Sequence, residues 1–165
     1  MQKIREKNAY LFMLSLLGGV LLGLGWRLSP WLLFFAWIPF LELDMSLSQK
    51  KPTYGNWIFA GLVFLGLIIW HLLALPWLFA QPWLGAILLI IFNCLLMLIP
   101  FILFRITRRA INEAYGYFSL VLYWISLEFL NLHWGLAWPW LTLGNALAPL
   151  YYFIQWYEIT GVLGG

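Results

Sequence analysis

The chain has 165 residues, of which 64% are hydrophobic and 9% charged, with 12 Trp and a net charge of +3. A soluble domain carries roughly 45–50% apolar and about 25% charged residues, so this composition excludes an ordinary water-soluble protein and marks an all-α polytopic membrane chain. The basic residues are clustered at the ends of apolar runs, where they act as orientation signals and not as a nucleic-acid surface.

A spanning helix needs about 20 mainly apolar residues. The first predicted span, 9–26, carries no charge, and Gly19 and Gly23 form a small-xxx-small pair that lets a neighbouring backbone approach closely. The basic start before it imitates a signal peptide, but no small-x-small cleavage site closes the run and further apolar runs follow, so it reads as an uncleaved first span. Arg27, Ser29 and Pro30 make a turn, and 28–41 runs back as a short second span ending near Pro39. Charge decides that this segment crosses. If it does, Lys3, Arg5, Lys7, Lys50, Lys51, Arg105, Arg108 and Arg109 share one side and only Arg27 lies on the other. That asymmetry places the N-terminus in the cytoplasm.

Glu42 and Asp44 then read as solvated charges at a helix exit, with nothing apolar around them to shift their protonation. The third span, 57–75, ends with His71 near the outer interface, and Pro76 and Pro82 bracket a short turn. The fourth, 83–104, carries Asn93 and Cys94 near its middle and Arg105, Arg108 and Arg109 at its cytoplasmic end. The fifth, 114–132, carries Glu128 one turn from its outer end. Beyond it, 133–165 is an aromatic segment at the periplasmic interface, broken by Pro139 and Pro149, with 151–157 suited to an interfacial helix. The domain expectation is therefore one transmembrane domain of five spans and no soluble domain.

Candidate chemistry is sparse. Cys94, the single thiol, sits in an apolar helix without a base to activate it and reads as packing. Two His residues with scattered carboxylates do not make the three or four convergent ligands of a metal site, so no metal or cofactor is expected. Glu128 has two readings: a neutral or hydrogen-bonded residue that ties its helix to its neighbours, or part of a polar cavity near the outer leaflet that holds the loop that follows. The Trp-rich cluster is either an aromatic belt or an entrance for acyl chains.

From Glu128 onward the pattern is specific. Glu128-Phe129-Leu130 leads into Trp138-Pro139-Trp140-Leu141-Thr142-Leu143-Gly144, followed by QWYEITGVLGG. This resembles the apolipoprotein N-acyltransferases, in the form found in Bacteroidetes-type bacteria. The family usually carries Arg after that Leu, where this chain has Asn131.

The resemblance implies a membrane-helix bundle with a nitrilase-like domain on the periplasmic side. It implies acyl transfer through a Cys thioester, from a phospholipid donor to the N-terminal diacylglyceryl-cysteine of a lipoprotein acceptor. No catalytic residue of that domain has a counterpart here. The chain is accordingly expected to be the membrane half, inactive alone, with a reading frame that continues past Gly165. Glu128, His133, Trp138 and Trp140 are the substrate-binding candidates, as a lipid entrance. The competing expectation is a small non-enzymatic membrane scaffold or transporter component.

Overall fold

The computed structural model describes residues 2–48, 52–135 and 139–164; Lys50, Lys51 and Trp138 lie outside them. The described chain is helical, with no strand, in agreement with the all-α expectation. Among the described residues four segments are long and apolar enough to cross a membrane: Glu6–Arg27, Pro30–Ser48, Tyr54–Ala74 and Trp83–Ala110. Their outward faces carry large apolar side chains, among them Met13, Leu17, Leu88 and Leu95, each about half exposed or more. Water would drive such faces together, whereas hydrocarbon solvates them; this is a membrane protein.

The helices are α1 (Gln2–Arg27), α2 (Leu33–Ala36), α3 (Ile38–Ser48), α4 (Pro52–Ala74), α5 (Trp83–Ala110), α6 (Glu113–His133), α7 (Leu143–Ala146) and α8 (Tyr157–Thr160). They form two compact units, Met1–Ile102 and Leu103–Gly165, divided inside α5.

In the first unit α1 and α4 make the most extensive contact, and glycines set its depth. A Cβ on Gly19 would strike the Gly66 carbonyl oxygen, and one on Gly23 would lie 2.5 Å from Leu73 Cβ. The small-xxx-small pair therefore does what its spacing anticipates. Ser15 adds a hydroxyl bond to the Leu62 carbonyl across the same seam. Gly18 and Gly66 leave a notch for the Phe40 ring, whose edge would lie 2.6 and 2.7 Å from added Cβ atoms. Phe40 is fully buried there and meets Phe101 of α5 at 5.3 Å between ring centroids.

The second crossing is longer than the sequence pattern indicates. Pro39 does not end it but sits in the first turn of α3, where a missing N–H costs nothing. The helix continues to Ser48 and aligns Phe40, Leu43, Asp44 and Leu47 on its buried face. Asp44, expected in solvent, is accordingly buried at 1% exposure. Glu42 is half-buried and accepts hydrogen bonds from the Tyr10 and Ser46 hydroxyls at 3.4 and 3.2 Å.

In the second unit α5 runs to Ala110 with Arg108 and Arg109 in its last turn, and Arg105 and Arg108 are buried. Gly116 of α6 admits the Arg108 stem, and the guanidinium meets Glu113 at 3.3 Å. The Asn112 side chain caps α6 by accepting from the Tyr115 N–H at 3.0 Å. At 21 residues α6 is long enough to cross a bilayer but is less apolar than the four segments above. After it, 139–164 forms short helical turns. Of 151–157, expected as an interfacial helix, Tyr151 to Trp156 is a run of turns, and helix begins only at Tyr157.

Gly19→Ala is expected to destabilise the fold by about 1–3 kcal/mol through overpacking. Gly61→Ala, where an added Cβ meets nothing within 4 Å, is expected to be neutral or stabilising by up to ~1 kcal/mol. Unfolding by sodium dodecyl sulfate in mixed micelles, followed by circular dichroism, ranks the two; equal midpoints would remove the glycine seam from the account.

Candidate functional site

The buried positions of α6 are Gly116, Ser119, Leu120, Trp124, Leu127, Glu128 and Asn131, a single stripe at helical spacing. That stripe turns Glu128 inward, to 6% exposure. Its Oε1 accepts two hydrogen bonds at 2.8 Å: one from the Trp124 indole N–H a turn earlier, one from the backbone N–H of Leu143. Leu143 opens α7, and the residue before it, Thr142, provides no side-chain cap; its hydroxyl bonds the Pro139 carbonyl at 3.1 Å instead. Glu128 thus supplies, from fifteen residues away, the acceptor that a helix start requires. Glu128 is thus a hydrogen-bonded residue that ties α6 to the loop that follows.

The loop is then closed on itself. A Cβ on Gly144 would collide with the Val162 carbonyl oxygen, so only glycine lets the chain pass itself there. Tyr157 donates its hydroxyl to the Gly144 carbonyl at 3.1 Å, and the Trp156 indole donates to the Gly164 carbonyl at 2.9 Å. Burial first, and the Glu128 carboxylate second, raise the Tyr157 phenol above its ordinary value, which keeps it a donor. Gly161, at φ +66°, makes the reversal between Tyr157–Thr160 and Val162–Gly164. In the Pro-Trp-Leu-x-x-Gly stretch, Leu141, Thr142 and Gly144 point inward while Trp140 is 54% exposed.

Three of the four candidates named from the sequence, Glu128, His133 and Trp140, lie among the described residues. Glu128 is buried and engaged with Trp124 and Leu143. His133 is exposed, its Nδ1 2.7 Å from the Phe129 carbonyl and its ring stacked on Phe129 at 4.2 Å. Trp140 is exposed, and Trp138 lies outside the described residues. Sequence reasoning missed Trp124 and Tyr157. Trp124 had a local signal, its spacing of four from Glu128 on one helix face; Tyr157 had none, since its contact crosses an irregular loop. Asn131, which follows Leu130, is buried at 4% exposure.

Cys94 is fully buried, as its setting suggests, yet a base does stand beside it: His71 Nδ1 is 3.4 Å from the sulfur. His71 is itself fully buried, in the last turn of α4. The same Nδ1 lies 2.9 Å from the Leu67 carbonyl, an acceptor only, so that nitrogen carries the proton and donates to Leu67. It has no lone pair left to take a proton from the thiol, and the pair is not a nucleophile–base dyad. Among the described residues no group of three or more His, Cys, Asp or Glu is placed to hold a metal ion.

Residues 18–165 match the sequence profile described as the apolipoprotein N-acyltransferase N-terminal domain. The chain belongs to this family. It is 27% identical over 155 residues, 93% of its length, to an apolipoprotein N-acyltransferase of Chlorobaculum tepidum. It is likewise 27% identical over 158 residues to an apolipoprotein N-acyltransferase of Geobacter metallireducens, again over 93% of its length. It spans only 28% and 30% of those two proteins. No solved structure matches it.

Two sets of substitutions test the site. Glu128→Leu leaves the Trp124 indole and the Leu143 N–H without their acceptor, at a cost of roughly 1–3 kcal/mol for each buried donor. Glu128→Gln retains an oxygen and is expected to be milder, and Glu42→Leu milder still. Limited proteolysis within 139–164 reads the loss, and equal cleavage of all three variants would mean that Glu128 does not hold the loop. Cys94→Ser, in the protein as its full reading frame encodes it, is expected to leave acyl transfer within a few-fold of normal, because the adjacent imidazole nitrogen is a donor. A hundredfold loss with normal membrane insertion would identify the thiol as a nucleophile.

Proposed function

We propose that this chain is the membrane part of an apolipoprotein N-acyltransferase of the bacterial inner membrane, with its N-terminus in the cytoplasm and 133–165 at the periplasmic face. The acyl donor is a phospholipid and the acceptor the N-terminal diacylglyceryl-cysteine of a lipoprotein. The thioester chemistry belongs to the nitrilase-like portion that the family resemblance implies, and this part supplies the membrane platform.

The observation that carries the reading is the bond from the Leu143 N–H to Glu128. It joins the two halves of the family pattern, the Glu-Phe-Leu step on α6 and the Pro-Trp-Leu-x-x-Gly loop, in one part-buried contact. Glu128 acts as a positioning residue. It fixes the loop so that Trp140 faces outward, and with His133 and Trp138 this ring forms the lipid entrance. Rings with an apolar body and a polar edge suit the boundary between tails and headgroups.

The test expresses the full reading frame containing this chain in bacteria depleted of their own lipoprotein N-acyltransferase. Mass spectrometry of a lipoprotein N-terminus then reads the acyl count. Conversion from the diacyl to the triacyl form is expected, with Glu128→Leu reducing it at least about tenfold, the effect of roughly 1.4 kcal/mol. In the same cells a cysteine placed at position 152, in a Cys94→Ser background, is expected to react with a membrane-impermeant maleimide from the periplasm. A membrane-inserted protein that produces no triacyl lipoprotein would sink the acyltransferase reading and leave the scaffold.

A further inference from the structure

At the end of α1 the close approach to α4 opens into a cleft of about 320 Å³, lined by Gly23, Leu24, Arg27, Leu28, Leu72 and Leu73. That volume lies at the small end of the roughly 300–1,000 Å³ found for small-molecule sites. Five of the six lining residues are apolar, and the sixth is a guanidinium. Arg27 stands in the last turn of α1, is exposed, and has no ion pair with a carboxylate among the described residues. Leu28 and Leu72 are 74% and 40% exposed, so the apolar walls are open to whatever surrounds the helices.

Position fixes what that is. Glu6–Arg27 is long and apolar enough to cross the bilayer, so its last residue lies where hydrocarbon gives way to headgroups. An arginine in a last turn also complements the helix dipole, but that role calls for no cleft and no leucines. A guanidinium above an apolar cleft at headgroup depth matches one molecule in chemistry and in length: a lipid with an anionic head and a hydrocarbon tail. Arginine's planar fork suits phosphate oxygens in bidentate geometry.

We propose that this cleft is a binding site for an anionic phospholipid, with the phosphate on Arg27 and an acyl chain lying against Leu24, Leu28, Leu72 and Leu73. Free phosphate lacks the chain that the leucines receive, and a zwitterionic lipid carries its own ammonium to compete for its phosphate. The site depends on α1 and α4 alone and does not rest on the acyl-transfer reading. Gly23 builds it indirectly, because its missing Cβ lets Leu73 of α4 come against α1.

The test is native mass spectrometry of the purified full chain in detergent with dioleoyl phosphatidylglycerol, dioleoylglycerol and glycerol 3-phosphate as probes. Phosphatidylglycerol is expected to be retained in preference to dioleoylglycerol by about fivefold, the contribution of one basic residue toward anionic lipid. Arg27→Gln should remove that preference without changing dioleoylglycerol retention, and Arg27→Lys should restore part of it. Leu72→Trp, which fills the cleft from an exposed position, should reduce retention of both lipids. Helicity by circular dichroism confirms that each variant folds, and Leu28→Trp replaces Leu72→Trp if that one does not. Undiminished preference in Arg27→Gln, undiminished retention in both Trp variants, or displacement of the lipid by glycerol 3-phosphate at equal concentration would each overturn the proposal.

Discussion

A backbone N–H that loses water must find another acceptor, and in a chain this apolar few are on offer. The long helices solve the problem internally. The stretch after α6 cannot, since Pro139 and Pro149 interrupt every attempt at a continuous helix. Its solution is a set of side chains acting as local partners. Glu128 accepts from the Leu143 N–H, the Tyr157 hydroxyl donates to the Gly144 carbonyl, and the Trp156 indole donates to the Gly164 carbonyl. Two of these three donors are aromatic rings with a polar handle, which explains why a segment so rich in Trp and Tyr holds an irregular path.

The other constraint is the closeness of helices that have no hydrophobic drive to associate within lipid. Contact must come from packing, and packing needs backbones to approach. Gly19 against the Gly66 carbonyl, Gly23 against Leu73, and the Phe40 ring in the notch between Gly18 and Gly66 are three versions of one device. Each replaces a side chain with a neighbour's atoms. The consequence extends to polar groups: once α3 is drawn into this seam by Phe40, Asp44 one turn later is buried with it.

Membership of the apolipoprotein N-acyltransferase N-terminal domain family gives these contacts a setting. Glu128, Leu141 and Gly144 are held by the fold itself: the carboxylate is a cap, Leu141 is at 1% exposure, and Gly144 is a crossing point of the chain. Trp140 is the member of the same stretch that faces outward. The family pattern in this chain therefore combines residues that build a loop with a ring that the loop displays.

The sequence by itself determined the all-α class and the approximate position of every long helix, because an apolar run of spanning length has no other stable form in a bilayer. It also showed the Gly19 and Gly23 contact, since small residues four apart on one helix have a local geometry. It left Glu128 between two roles, and it misplaced Asp44 and the end of the second crossing. Those failures share a cause. Whether a polar residue meets water depends on which helix lies against it, and neither Pro39 nor the end of an apolar run says where a helix stops. Tertiary structure alone brought Leu143 to Glu128 across fifteen residues and set His71 beside Cys94 with its proton already committed to Leu67. Burial and hydrogen-bond direction are properties of neighbours, and neighbours distant in the chain leave no periodic mark in it.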